Sequence, residues 1–154
     1  MQVPTFDESL RTGHPLIDEQ HEWLFKLAAR VAEMIGTCEL DDDGSVDGDS
    51  SDASCEPQVR DATTEAVYGL LDYATEHFSD EEALMLESRY PLAIVHASLH
   101  ADLNRRLTPF VMDQVNKDEV VADKIVEFFI DWLTTHIMHD DREFTSWLAA
   151  NPPE

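Results

Sequence analysis

The sequence predicts an all-α fold: an up-down-up-down antiparallel four-helix bundle with an N-terminal arm and a long acidic loop between the first and second helices. Three observations carry this. Four long segments repeat apolar residues every three or four positions, the links between them are short except for the first, and no segment alternates like a strand. At 154 residues the chain fits a single domain spanning 1–154.

Residues 1–17 form the arm. The first helix runs between Asp18 and Cys38, with Trp23, Leu24, Leu27, Ala28, Val31, Met34 and Ile35 as its apolar stripe. The block "CELDDDGSVDGDSSDASCEPQ" follows, with eight acidic residues between Glu39 and Glu56 and no basic one. It is too polar to bury, so 39–57 is expected to be a mobile, solvated insertion. Within it Asp43, Ser45, Asp47 and Gly48 match the start of a calcium loop. Ser54 stands where the bidentate acid is required, so no calcium site is expected. Cys38 and Cys55 flank the block and are expected as free thiols.

The second helix runs from Pro57, a residue suited to a first turn, to Glu87, with Leu70, Leu71, Ala74, Phe78 and Met85 inward. After "SRYP" a third begins near Pro91 with Leu92, Val95, Ala97, Leu99, Leu103 and Leu107 on its stripe, and Pro109 is expected to bend or end it early. The fourth extends from about Asp118 through Ile125, Phe129, Trp132, Leu133, Phe144 and Leu148, and "NPPE" stops it.

Thirty-three acidic against ten basic residues give a net charge of −23, which repels phosphate backbones and anionic lipid. Nucleic acid and membrane surfaces are therefore not expected as partners. No basic start precedes an apolar run and no apolar stretch is long enough to span a bilayer, so a bacterial-type cytoplasm is the expected location. A basic protein meeting the acidic loop is the partner this charge allows.

Histidine is the informative residue. In "HFSDEEALM", His77 and Glu81 stand four apart and share a helical face; in "HASLH", His96 and His100 repeat the spacing. His21 lies on the first apolar stripe and His136 is in phase with Phe129, Trp132 and Leu133. A lone inward histidine is ordinarily a hydrogen-bonded core residue, and Glu81 alone would be a solvated charge like its neighbours Asp80 and Glu82. Five inward histidines with carboxylates on four helices are different, because they would leave a core full of unpaired polar groups unless a metal pairs them. Zinc would leave donors unused and calcium or magnesium would want more oxygen. Five imidazoles and two carboxylates suit a pair of borderline ions such as iron, and the absence of any Glu-x-x-His argues against the carboxylate-rich oxidases.

On these residues the chain resembles the hemerythrin family, specifically the bacteriohemerythrins. "TGHPLIDEQHEWLF", "YATEHFSDEEALM", "YPLAIVHASLH" and "WLTTHIMHDD" are similar to its four helix signatures. The resemblance implies two non-haem iron ions with an oxo or hydroxo bridge. His96, His100 and His136 would ligate one, His21 and His77 the other, and Glu81 and Asp141 both. That leaves one open position, where the family binds O2.

The resemblance also implies reversible O2 binding for storage, delivery or sensing, with a reductant of unspecified nature. Apolar walls and the lack of an evident general acid favour binding over turnover. Candidate wall residues are Leu24, Phe25, Phe78, Leu99, Trp132 and Leu133. The alternatives are a di-iron enzyme of oxidase, peroxidase or nitric oxide reductase type using the same centre, and a structural or signalling module.

Two positions strain the pattern. His14, in the lead-in to the first helix, is expected to be exposed rather than to approach the site. In "HIMHDD" an ideal helical wheel places His139 and Asp140 nearer His136 than Asp141, whereas the family spacing selects Asp141. A locally widened, π-like turn between His136 and Asp141 reconciles the two and turns His139 and Asp140 away from the metal.

Overall fold

The computed structural model describes residues 3–41, 57–116 and 121–152, without the side chains of 36–41, 57–61, 110–116 and 121–122. After a 3-10 turn at Glu8–Leu10, the helices are α1 (Pro15–Asp41), α2 (Pro57–Ser88), α3 (Ala93–Asn116), α4 (Val121–His136) and α5 (Arg142–Ala150). A π-helical turn, Ile137–Asp141, joins α4 to α5 into one continuous rod, so the architecture is the four-rod bundle the sequence predicts. Rods adjacent in sequence pack on one another, α1 against α2, α2 against α3 and α3 against α4, and α1 closes the ring against α4. Among the described residues no helix is long and apolar enough to cross a membrane.

The helix ends have local causes. Pro15 and Pro57 each open a helix, where the missing N–H is an orphan in any case. His14 caps α1: its Nδ1 accepts from the Ile17 amide at 3.4 Å, and it is half-buried rather than exposed. Buried Asp18 accepts from Thr12 N (2.7 Å), Thr12 Oγ1 (2.7 Å) and Gly13 N (3.0 Å), folding the arm back on α1 one turn before His21. Gly13 makes the bend with a φ of 95°. At the C-terminus of α2, Arg89 adopts φ 62°, while Tyr90 N donates to Met85 O at 2.9 Å in a Schellman-like stop.

Three expectations change. The first helix reaches Asp41, into the acidic stretch; the candidate calcium loop and both cysteine side chains lie outside the described residues. The third continues through Pro109 to Asn116, because Pro109 is exposed and water can satisfy the carbonyl it orphans. Its inner face starts from Ala93, His96, His100, Leu103 and Leu107, while Leu92 and Val95 are exposed, as is Trp23 on α1. Placing His96 and His100 inward turns Leu92 and Val95 outward.

The core has two parts. A long one joins Leu24, Ala28, Val31, Leu70, Phe78, Leu103, Phe129 and Leu133; a smaller one, towards the α2–α3 turn, joins Ile17, Met85, Tyr90, Ala93 and Phe144.

A non-glycine residue in the left-handed region costs about 1–2 kcal/mol, partly offset by the chain entropy glycine loses. Arg89→Gly is therefore expected to stabilise the protein by about 0.5–1 kcal/mol, a rise of roughly 1–4 °C in Tm. A lower Tm by calorimetry would refute that account of the α2 stop.

Candidate metal centre

Every rod reads apolar, polar, apolar along its inner face at one height. His21 lies between Ile17 and Leu24, His77 and Glu81 between Ala74 and Met85, His96 and His100 between Ala93 and Leu103, and His136 and Asp141 between Leu133 and Phe144. The polar slab is thus sealed between the two apolar clusters, and none of its residues is more than 3% exposed.

The structure brings together all seven residues singled out from the sequence. They form two overlapping groups, Glu81, His96, His100, His136 and Asp141 in one and His21, His77, Glu81 and Asp141 in the other. The overlap is made by the carboxylates. Asp141 Oδ1 lies 3.0 Å from both His96 Nε2 and His136 Nε2, while its Oδ2 lies 2.9 Å from His21 Nε2. Glu81 Oε1 lies 2.7 Å from His96 Nε2 and 3.4 Å from His100 Nε2, and its Oε2 faces His77 Nε2 at 3.7 Å. Each carboxylate therefore divides its two oxygens between a three-histidine side and a two-histidine side.

Short distances are not aligned hydrogen bonds here. All four carboxylate oxygens are buried without a hydrogen-bond partner. The ring nitrogens crowd one another as well: His21 and His77 Nε2 at 3.1 Å, and His136 Nε2 at 3.0 Å from both His96 and His100 Nε2. Five imidazole nitrogens converging on four carboxylate oxygens that have no aligned donor are an arrangement suited to atoms that share a central cation. The donor set fits a pair of metal ions.

The π-helical turn gives Asp141 its place. Arg142 N reaches back to Ile137 O, five residues earlier, and this widening carries Asp141 inward to full burial. His139 is exposed, and Asp140 lies behind His136, its Oδ2 at 3.0 Å from Nδ1. The wheel's preference for Asp140 fails because the helix is not regular there.

The outer edges of the rings have partners that sequence reasoning passed over. His77 Nδ1 meets Gln20 Oε1 at 2.6 Å, and Gln20 Nε2 donates to Asp80 at 2.9 Å. Glu82 Oε1 stands 3.5 Å from His100 Nδ1. Asp80 and Glu82 are thus not merely solvated charges. The available signal was adjacency, since each flanks Glu81 in sequence. Phe78 stacks on His100 (4.1 Å between centroids, 14°) and Trp132 on His136 (4.3 Å, 18°). Of the other wall candidates, Leu24, Phe25 and Leu133 are buried and Leu99 is half-buried.

Residues 12–148 match the model of the hemerythrin HHE cation-binding domain. The chain belongs to the hemerythrin family. It is similar to the bacteriohemerythrin of Stenotrophomonas maltophilia, 25% identical over 151 residues that cover 98% of this chain and 85% of that one. It also resembles the bacteriohemerythrin of Pseudomonas aeruginosa, 28% identical over 137 residues (88% and 75%), and that of Clostridium acetobutylicum, 23% identical over 138 residues (89% and 95%). The match ties the cluster of this hemerythrin domain to cation binding.

The buried imidazoles and carboxylates shift one another's protonation. Burial opposes charging of His96 and His136, but Asp141 and Glu81 beside His96, and Asp141 and Asp140 beside His136, raise each to about 9. Burial alone would raise Asp141; instead His136, His21 and His96 hold it well below the usual carboxylate range. Burial and the neighbouring His21 push His77 down to about 4.

A raised histidine stabilises fully below its unfolded value near 6.5 and loses that contribution as pH rises through about 9. His77 acts oppositely, its contribution fading as pH falls from 6.5 through about 4. Urea denaturation of the metal-free protein is therefore expected to show less stability at pH 9 than at pH 6.5. Equal or greater stability at pH 9 would contradict the assignment.

Proposed function

We propose that the seven buried residues hold a non-haem di-iron centre that binds O2 reversibly, for storage, delivery or sensing. The observation that carries this is the division of Glu81 and Asp141 oxygens between two sets of imidazoles. His96, His100 and His136 serve one ion, His21 and His77 the other, and the two carboxylates serve both. The two-histidine side is one donor short, which leaves room for a small ligand. When bound, the iron pair, with its oxo or hydroxo bridge, supplies the electrons that O2 accepts.

The chain's own contribution is enclosure and restraint. Ile17 and Met85 on one side, and Leu24, Leu133 and Ile137 on the other, are at most 1% exposed and keep bulk water from the slab. Among the described residues, Tyr90 is one proton donor outside the seven whose hydroxyl the site's carboxylates influence. Tyr90 feels Glu143, Asp140, Asp141 and Glu81, but burial first and these charges second push its hydroxyl up to about 12, so it gives up its proton reluctantly. A small ligand that arrives without protons is therefore favoured to leave unchanged rather than be protonated and cleaved. This supports binding over the enzymatic alternative.

The iron-loaded, reduced protein is expected to develop a visible absorption band with O2 that fades on deoxygenation through several cycles. A spectrum that never reverses would end the O2-carrier reading, and rapid steady-state turnover with peroxide or nitric oxide, lost in Asp141→Ala, would favour an enzyme. Asp141→Ala is also expected to lose bound iron while Asp140→Ala retains it; the reverse pattern would reassign the carboxylate.

A further inference from the structure

The two halves of the centre are backed differently. On the three-histidine side, the Nδ1 of His136 faces a carboxylate, Asp140, at 3.0 Å. On the two-histidine side, His77 Nδ1 faces the neutral amide of Gln20 at 2.6 Å, and His21 Nδ1 is buried with no hydrogen-bond partner. The orientation of Gln20 is itself fixed. Asp80 only accepts, so the amide nitrogen of Gln20 must point to Asp80 (2.9 Å) and its oxygen to His77. An oxygen there accepts a hydrogen bond from His77, which requires the ring proton on Nδ1 and leaves Nε2 as a bare lone pair facing the site.

We propose that Gln20, held by Asp80 at the surface, is a positioning residue that selects the metal-binding tautomer of His77 and so sets the affinity of the two-histidine half of the centre independently of the other half. The inference rests on the two-ion reading above and adds to it a chain from the exposed Asp80 to one half only. Neutral imidazole in water favours the proton on the far nitrogen from the chain, the form that cannot ligate through Nε2. A neutral amide corrects this without adding negative charge, whereas Asp140 adds charge behind His136. Outer partners of this kind change metal affinity by about 10–100-fold.

The test compares Gln20→Met, which keeps the shape but removes the acceptor, with Gln20→Glu, which keeps an oxygen acceptor for His77 while giving up the contact with Asp80, and with Asp80→Ala at an exposed position where folding is not at stake. In the metal-free protein, long-range proton–nitrogen correlation spectra read the His77 tautomer directly. The wild type and Gln20→Glu are expected to carry the proton on Nδ1, Gln20→Met to move it to Nε2, and Asp80→Ala to shift part of the way. Anaerobic Co²⁺ titration followed by visible absorption is expected to give two equivalents in the wild type. In Gln20→Met one equivalent should weaken about 10–100-fold and the other stay unchanged, with recovery in Gln20→Glu.

The proposal is overturned if His77 keeps its Nδ1 proton in Gln20→Met, or if both Co²⁺ equivalents weaken alike or neither does. A wild type that takes up fewer than two Co²⁺ ions would instead strike the two-ion reading, and the tautomer spectra of the metal-free protein would still decide the role of Gln20.

Discussion

Two acids buried in the middle of an apolar bundle set the terms for everything around them. Glu81 and Asp141 are at most 1% exposed and have no aligned donor on any of their four oxygens; burial and the charge of Asp141 both oppose ionisation of Glu81, and the surrounding imidazoles hold both acids below their ordinary range. Left unpaired, each such charge would cost several kcal/mol. Five imidazoles converge on them from all four rods, so the favourable arrangement needs every rod in register at the height of the slab. The packing above and below it, Leu24 with Leu133 on one side and Met85 with Phe144 on the other, is what holds that register.

Asp141 shows how much local backbone geometry the site demands. A regular helix would have presented Asp140, which instead stands behind His136 and polarises it. One widened turn over Ile137–Asp141 exchanges the two aspartates, converting a neighbour at the surface into a shared acceptor in the core. π-helical turns give up ideal hydrogen bonding, and here the return is a carboxylate between two sets of histidines. The arm contributes as well, since Asp18 gathers three donors from Thr12 and Gly13 and fixes the first turn of α1 just before His21.

Much of this was legible in the sequence for a physical reason: metal ligands on helices have to repeat at helical spacing. His77 with Glu81 and His96 with His100 announce a shared face, and the apolar periods name the rods. The distortion at "HIMHDD" was legible only because the family resemblance and the wheel disagreed about which aspartate faces inward. What the sequence hid were contacts between rods and reversals of face. Gln20 reaches His77 across 57 positions of chain, Leu92 and Val95 look like core residues until His96 claims the inner face, and nothing in the sequence marks Asp18 as buried until the arm folds over it. Pro109 reads as a bend or an early end, yet the helix continues through it at an exposed position.

The central claim is that one slab of seven side chains holds two ions through shared carboxylates. X-ray absorption at the iron edge, combined with iron analysis of the same sample, tests it most directly. The account predicts two irons per chain, a first shell of nitrogen and oxygen without sulfur, and a distinct iron–iron scattering contribution that disappears with the loss of either carboxylate. One iron per chain, or two with no iron–iron contribution in the intact protein, would contradict it.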